Sequence, residues 1–156
     1  ARGQIVDGPI DKVDNEMVYQ AFIDCRENDE LKTEYRVPIT FGEIPCIYLQ
    51  RKIFHETQAK TIPNSTELRM ADDVFSELEI RMINQFCQLI GLDSGDLDIL
   101  RDFQTNQLYI IDANKTGGGF GLLNRFCWSI EDRTKAIELV AKGFEAGLKE
   151  KMKMFI

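Results

Sequence analysis

Asp98-Ile-Leu-Arg-Asp-Phe-Gln-Thr-Asn-Gln-Leu108-Tyr-Ile-Ile-Asp112-Ala-Asn114 carries two apolar runs, one on each side of a short polar loop. Residues 97–103 and 107–113 therefore read as a β-hairpin across Gln104–Asn106. A register symmetric about Thr105 pairs Phe103 with Gln107, Leu100 with Ile110 and Asp98 with Asp112. Directly opposed side chains stand with Cβ atoms about 5 Å apart. Asp112 and Asn114, two residues apart on one strand, share a face. Asp96 sits two residues before Asp98 and joins the same row.

Two opposed carboxylates repel each other unless something compensates. A divalent cation does so. Carboxylates with an amide carbonyl are hard oxygen donors and favour Mg²⁺ or Mn²⁺. The stretch Asp93-Ser-Gly-Asp96-Leu-Asp98 lacks the central glycine and terminal Glu of a calcium-binding loop.

Working outward, residues 17–24 read as a buried strand and Arg26–Glu30 as a turn. Residues 34–40 and 43–50 read as strands around Phe41-Gly42. Pro38 and Pro45 point to an edge or a bulge, because proline donates no ladder hydrogen bond. Residues 55–70 have no period and read as a loop. Residues 73–90 form an amphipathic helix, with Phe75, Leu78, Met82, Phe86 and Leu89 at helical spacing, joined by Ile83 and Ile90. Asp72 is placed to cap its start and Gly91 to end it. Ser129 opens a second helix, whose apolar face is Ile137, Val140, Ala141, Phe144 and Leu148. Strands, helix, hairpin and helix in that order predict an α+β fold with an antiparallel sheet.

The chain has 156 residues, 44% hydrophobic and 29% charged, with a net charge of -7. That size and balance fit one globular domain. The acidity argues against nucleic acid as a partner, since phosphate backbones are bound by clustered Lys and Arg. No apolar run reaches the roughly 18 to 20 residues of a membrane-spanning helix. Cys25, Cys46, Cys87 and Cys127 are widely spaced and His55 is the only histidine. Free thiols in a reducing, cytoplasmic setting are expected, and a zinc site is not.

Taken in order, Gly91-Leu-Asp-Ser-Gly-Asp-Leu-Asp98 followed by Leu108-Tyr-Ile-Ile-Asp112-Ala-Asn114 resembles the C-terminal part of ATP-grasp enzymes. The resemblance implies an ATP-grasp-like antiparallel sheet with flanking helices. It implies ATP and Mg²⁺ (or Mn²⁺) as cofactors, with Asp98, Asp112 and Asn114 as the metal ligands. Met17-Val-Tyr-Gln20-Ala-Phe-Ile23 resembles the strand leading to the adenine hinge, which puts Gln20, Ala21, Phe22 and Ile23 beside the nucleotide. Ala21 replaces the usual Glu there. Glu34-Tyr-Arg36-Val-Pro-Ile and Gln50-Arg51-Lys52 resemble the next two strands, making Arg36 and Arg51 the candidate catalytic phosphate contacts. Arg36 and Lys60 are also placed as nucleotide contacts.

The resemblance covers residues 12–150 and corresponds to the second half of the fold, a single domain over residues 1–156. The Lys-bearing and substrate-binding subdomains of the family have no counterpart in it. Gly117-Gly-Gly-Phe-Gly121 is neither a Walker loop nor a Rossmann fingerprint. It reads as an acceptor-side loop that permits close main-chain approach, with Lys115 adding positive charge. The implied activity is a ligase that activates a small-molecule or peptide carboxylate as an acyl phosphate for attack by an amine or thiol. A catalytically inactive ATP-grasp-like scaffold is the alternative, and an oligomer is left open.

Overall fold

The structure, a computed structural model, describes residues 22–53, 63–115 and 129–153. Five strands form one antiparallel sheet in the order β3-β2-β1-β4-β5. They are β1 (Leu31–Thr40), β2 (Ile47–Ile53), β3 (Ser65–Arg69), β4 (Ser94–Arg101) and β5 (Leu108–Asn114). Between β3 and β4 lie the single-turn α1 (Ala71–Val74) and α2 (Glu77–Ile90), and α3 (Ile130–Lys153) follows β5. The α+β class and the antiparallel sheet expected from the sequence are present.

Alternation splits the sheet into two faces. Val37, Ile39, Ile47, Leu97 and Ile99 point to one side, where Phe75, Ile83, Cys87 and Leu92 complete the main core. Tyr48 points to the other side and packs with Cys46, Ala136 and Val140 beneath α3. One helix therefore covers each face. The second face carries the polar residues of interest.

Several boundaries differ from the sequence reading, each for a local reason. Residues 22–24 form no strand; the rest of the 17–24 segment lies outside the described residues. The Asp24 carbonyl accepts from the Phe103 N–H, and the Cys25 carbonyl from the Thr33 N–H, so this segment ties β1 to the end of β4. The regular part of β2 starts at Ile47, because Pro45 lacks a donor and Thr40–Glu43 already closes the turn. Phe41 and Gly42 hold that turn with φ of 53° and 89°. Pro38 falls where β1 is paired with β4 alone, so its missing N–H breaks no rung with β2. Ser65–Arg69, expected as loop, is an edge strand too short and polar to show a period.

The expected helix over 73–90 is interrupted. Phe75 takes an extended backbone that turns its ring into the core, edge-on to Tyr35 at 5.5 Å. Ser76, not Asp72, caps α2. The Ser76 N–H and hydroxyl donate to Glu79 Oε2 at 2.8 and 3.0 Å, and the Glu79 N–H donates back to Ser76 Oγ at 3.4 Å, a reciprocal capping box. Gly91 ends the helix at φ 64° as expected. Its buried face is Ile83 and Cys87 flanked by Ile80, Phe86 and Ile90, while Leu78, Met82 and Leu89 are 59%, 60% and 79% exposed.

The face of α3 is rotated as well. Ala136 and Val140 are buried, whereas Phe144 and Leu148 are exposed and Ala141 faces solvent. Gly143 and Gly147 continue the buried line. A Cβ on Gly143 would lie 2.7 Å from Thr40 Oγ1, and one on Gly147 would lie 2.5 Å from Phe41. Small residues let the helix settle on the β1 turn. Ser129 accepts from the Asp132 N–H at 2.9 Å, as its capping role requires.

Candidate functional site

A row of cross-strand partners crosses the α3 side of the sheet. Leu68 faces Tyr48, Tyr48 faces Arg36, Arg36 faces Asp98 and Asp98 faces Asp112. Beside it run Gln50–Glu34 and, on the other flank, Pro38–Asp96–Asn114. The expected opposition of Asp98 and Asp112 is present. The hairpin around it is not symmetric, however. A bulge between Asp98 and Ile99 makes Ile111 an extra residue, so Leu100 pairs with Tyr109 and Ile99 with Ile110. Leu108 and Ile110 consequently pack on the main core, while Asp112 turns to the opposite side with Asp98. Re-aiming a side chain in this way is what a β-bulge does.

Asp98 and Asp96 are buried, at 8% and 6% exposure. Arg36 grips Asp98 with a two-pronged contact, Nε to Oδ1 at 2.8 Å and Nη2 to Oδ2 at 2.9 Å. Such planar, charge-assisted pairs are the strong ones. The bond to Asp98 first, then the charges of Asp98, Asp96 and Glu34, raise the Arg36 pKa against the opposing effect of burial. Asp112 is exposed. Its Oδ1 accepts from the Ala113 N–H and its Oδ2 from Asn114 Nδ2, both at 2.9 Å. That contact leaves the Asn114 carbonyl oxygen as the third hard donor. Two carboxylates and an amide carbonyl fit Mg²⁺ or Mn²⁺. Among the described residues, no three His, Cys, Asp or Glu side chains form a metal cluster. The donor set here depends on Asn114.

The other expected site residues divide. Arg51 pairs across the ladder with Thr33 and so lies on the α2 side of the sheet, away from Asp98. There Glu27 at 2.6 Å and Glu67 at 3.0 Å hold it. One residue's difference in phase decides this: Lys52 shares the face of Arg36 and ion-pairs with Glu34. The resemblance points to Arg51, and strand parity places Lys52 rather than Arg51 on the face that carries Arg36 and Asp98. Lys115 donates to the Ile90 carbonyl at 3.0 Å and so caps the end of α2. Phe22 is exposed, and Ile23 is half-buried in the irregular segment before β1. Gln20, Ala21, Lys60, His55, Cys127 and Gly117–Gly121 lie outside the described residues.

Cys46 and Cys87 are buried free thiols and Cys25 is half-buried. Burial pushes the Cys46 thiol up to about 12, so it stays protonated. A cleft of about 150 Å³ beside Cys25 contains Arg26, Tyr35 and Arg101. Its cations are spoken for: Arg26 pairs with Asp24 at 2.6 Å and Arg101 with Glu79 at 2.8 Å. The acid-bearing row on the α3 side is the stronger candidate.

No family model and no curated protein matches the chain. Among solved structures it is similar to the macrocyclase MdnC bound with precursor peptide MdnA, from Microcystis aeruginosa MRC. The identity is 15% and the TM-score 0.40, over 70% of this chain and 33% of that one. The chain thus spans about a third of that protein's length.

Proposed function

We infer that this chain carries the ATP- and Mg²⁺-binding sheet of an ATP-grasp-type ligase. The observation that carries the reading is the direct opposition of Asp98 and Asp112, with Asn114 next on the same face and Arg36 alongside. Asp98, Asp112 and Asn114 would hold the cation, which supplies charge neutralisation at the phosphate oxygens. In this reading ATP transfers its γ-phosphoryl group to a substrate carboxylate, giving an acyl phosphate and ADP. An amine or thiol then attacks the acyl carbon, and inorganic phosphate leaves. The chain's own share is positioning and charge placement, which dominate phosphoryl-transfer catalysis. The acid is a small molecule or a peptide, and the setting is cytoplasmic.

Calorimetry with Mg²⁺ and ADP tests the reading. Asp112→Asn should weaken binding about tenfold or more, equivalent to at least ~1.4 kcal/mol, with the fold intact by circular dichroism. Unchanged affinity in that variant would overturn it. The scaffold alternative draws on Arg51, which Glu27 and Glu67 hold on the far face. Absence of Mg²⁺–ADP binding by a full-length protein that also carries the Lys-bearing half of the fold favours that alternative.

A further inference from the structure

Arg36 and a cation want the same atoms. The guanidinium fork already takes both oxygens of Asp98, at 2.8 and 2.9 Å. Asp98 is the less accessible partner: its side chain is 11% exposed against 30% for Arg36. The carboxylate is short and held in the sheet, while the guanidinium sits at the end of a long, rotatable stem and is the more exposed of the two. On its other flank Asp98 meets Asp112, whose oxygens accept, among the described residues, from the Ala113 N–H and Asn114 Nδ2 of its own strand. A cation held between the two acids would need Asp98 oxygens that Arg36 now occupies. It would sit close to a guanidinium of the same sign.

We propose that Arg36 gates the acid pair: the guanidinium and a divalent cation compete for Asp98, so that loading the cation releases Arg36 toward an anionic oxygen of the substrate. The proposal rests on the metal reading above and adds a regulatory role for Arg36 within it. Arg36 is here a substrate-binding residue whose availability is set by Asp98. The competition has a thermodynamic corollary. Cation binding and anion binding become positively linked, because each draws one partner out of the Arg36–Asp98 pair.

The test is Mn²⁺ affinity of the full chain, measured by electron paramagnetic resonance with no nucleotide present. Removing the competitor in Arg36→Gln should tighten Mn²⁺ binding about tenfold, or ~1.4 kcal/mol. The same change made on an Asp98→Asn background should have no effect on Mn²⁺, since the shared ligand is gone. Should Arg36→Gln fail to fold, Arg36→Lys decides: a point charge without the fork should still bind Mn²⁺ several-fold tighter than wild type. A folded Arg36 variant that binds Mn²⁺ equally or more weakly overturns the gate. If Mn²⁺ binds wild type and is lost in Asp112→Asn, that overturning concerns the gate alone. If neither wild type nor the Arg36 variants bind Mn²⁺, the metal reading falls and the gate with it.

Discussion

Asp112 stands directly across the β4–β5 ladder from Asp98. Like charges in that position cost stability, here softened by the Arg36 fork on Asp98. Asp112→Asn should therefore raise stability by about 0.2–1 kcal/mol in chelator-treated protein. Added Mg²⁺ should raise the wild-type melting temperature and leave the variant nearly unmoved. A variant that melts well below wild type in chelator would show that Asp112 holds the hairpin together instead.

Gly147 meets Phe41 at the β1 turn, where a Cβ would come 2.5 Å from Phe41 Cβ and Cδ2 and 2.7 Å from its Cγ. Phe41 is held at φ 53° and leans on Phe144 at 5.3 Å, so it has little room to retreat. Helix propensity alone would make Gly147→Ala stabilising by roughly 0.8–1 kcal/mol. Overpacking costs about 1–3 kcal/mol. The net outcome should be a loss of about 1 kcal/mol in urea unfolding, and a gain would contradict the close seating of α3.

Two apolar positions on α2 should behave in opposite ways. Ile83 is 3% exposed within the main core, and its truncation to Ala should cost about 2–5 kcal/mol. Leu89, 79% exposed, should lose less than about 0.5 kcal/mol on the same change. Denaturant midpoints of the two variants measure the rotation of the helix directly.

Glu79 links the start of α2 to the end of β4. Burial pushes its carboxyl up, but hydrogen bonds from Arg101 and from the Ser76 N–H and hydroxyl outweigh it and hold the pKa below its usual 4.5. A depressed carboxyl stabilises the fold above its unfolded pKa and loses that contribution as pH falls through the folded value. Glu79→Gln should cost about 1 kcal/mol at pH 7. The difference from wild type should shrink steadily below the ordinary carboxylate range. Urea titrations of both proteins at neutral and acid pH provide the comparison, and a difference that persists in acid would rule out the charge as its origin.

The hairpin, the acid pair and the α+β class were all legible in the chain, because alternation and loop chemistry are local. The active face of each helix was not. In α2, Leu78, Met82 and Leu89 recur at helical spacing as well as Ile80, Ile83, Cys87 and Ile90 do, and only the sheet chooses between the stripes. In α3 the choice fell on Ala136, Gly143 and Gly147, whose smallness matters more than their hydrophobicity. The face of Arg51 is hidden from the sequence for a similar reason. Resemblance marks a strand end as basic, but one step of phase separates Arg51 from Lys52, and phase is set by pairing with β1.

The bulge in β5 has a broader consequence. Leu108 and Ile110 serve the core, Asp112 and Asn114 serve the opposite face, and Ile111 is the extra residue between the two duties. A strand of uniform period cannot divide its loyalties in this way. The Asp98–Asp112 alignment is thus anchored from within the strand, by the packing of Leu108 and Ile110 and by the added residue. Deleting Ile111 would return β5 to a uniform period and force a choice, with either Leu108 and Ile110 leaving the core or Asp112 turning away from Asp98.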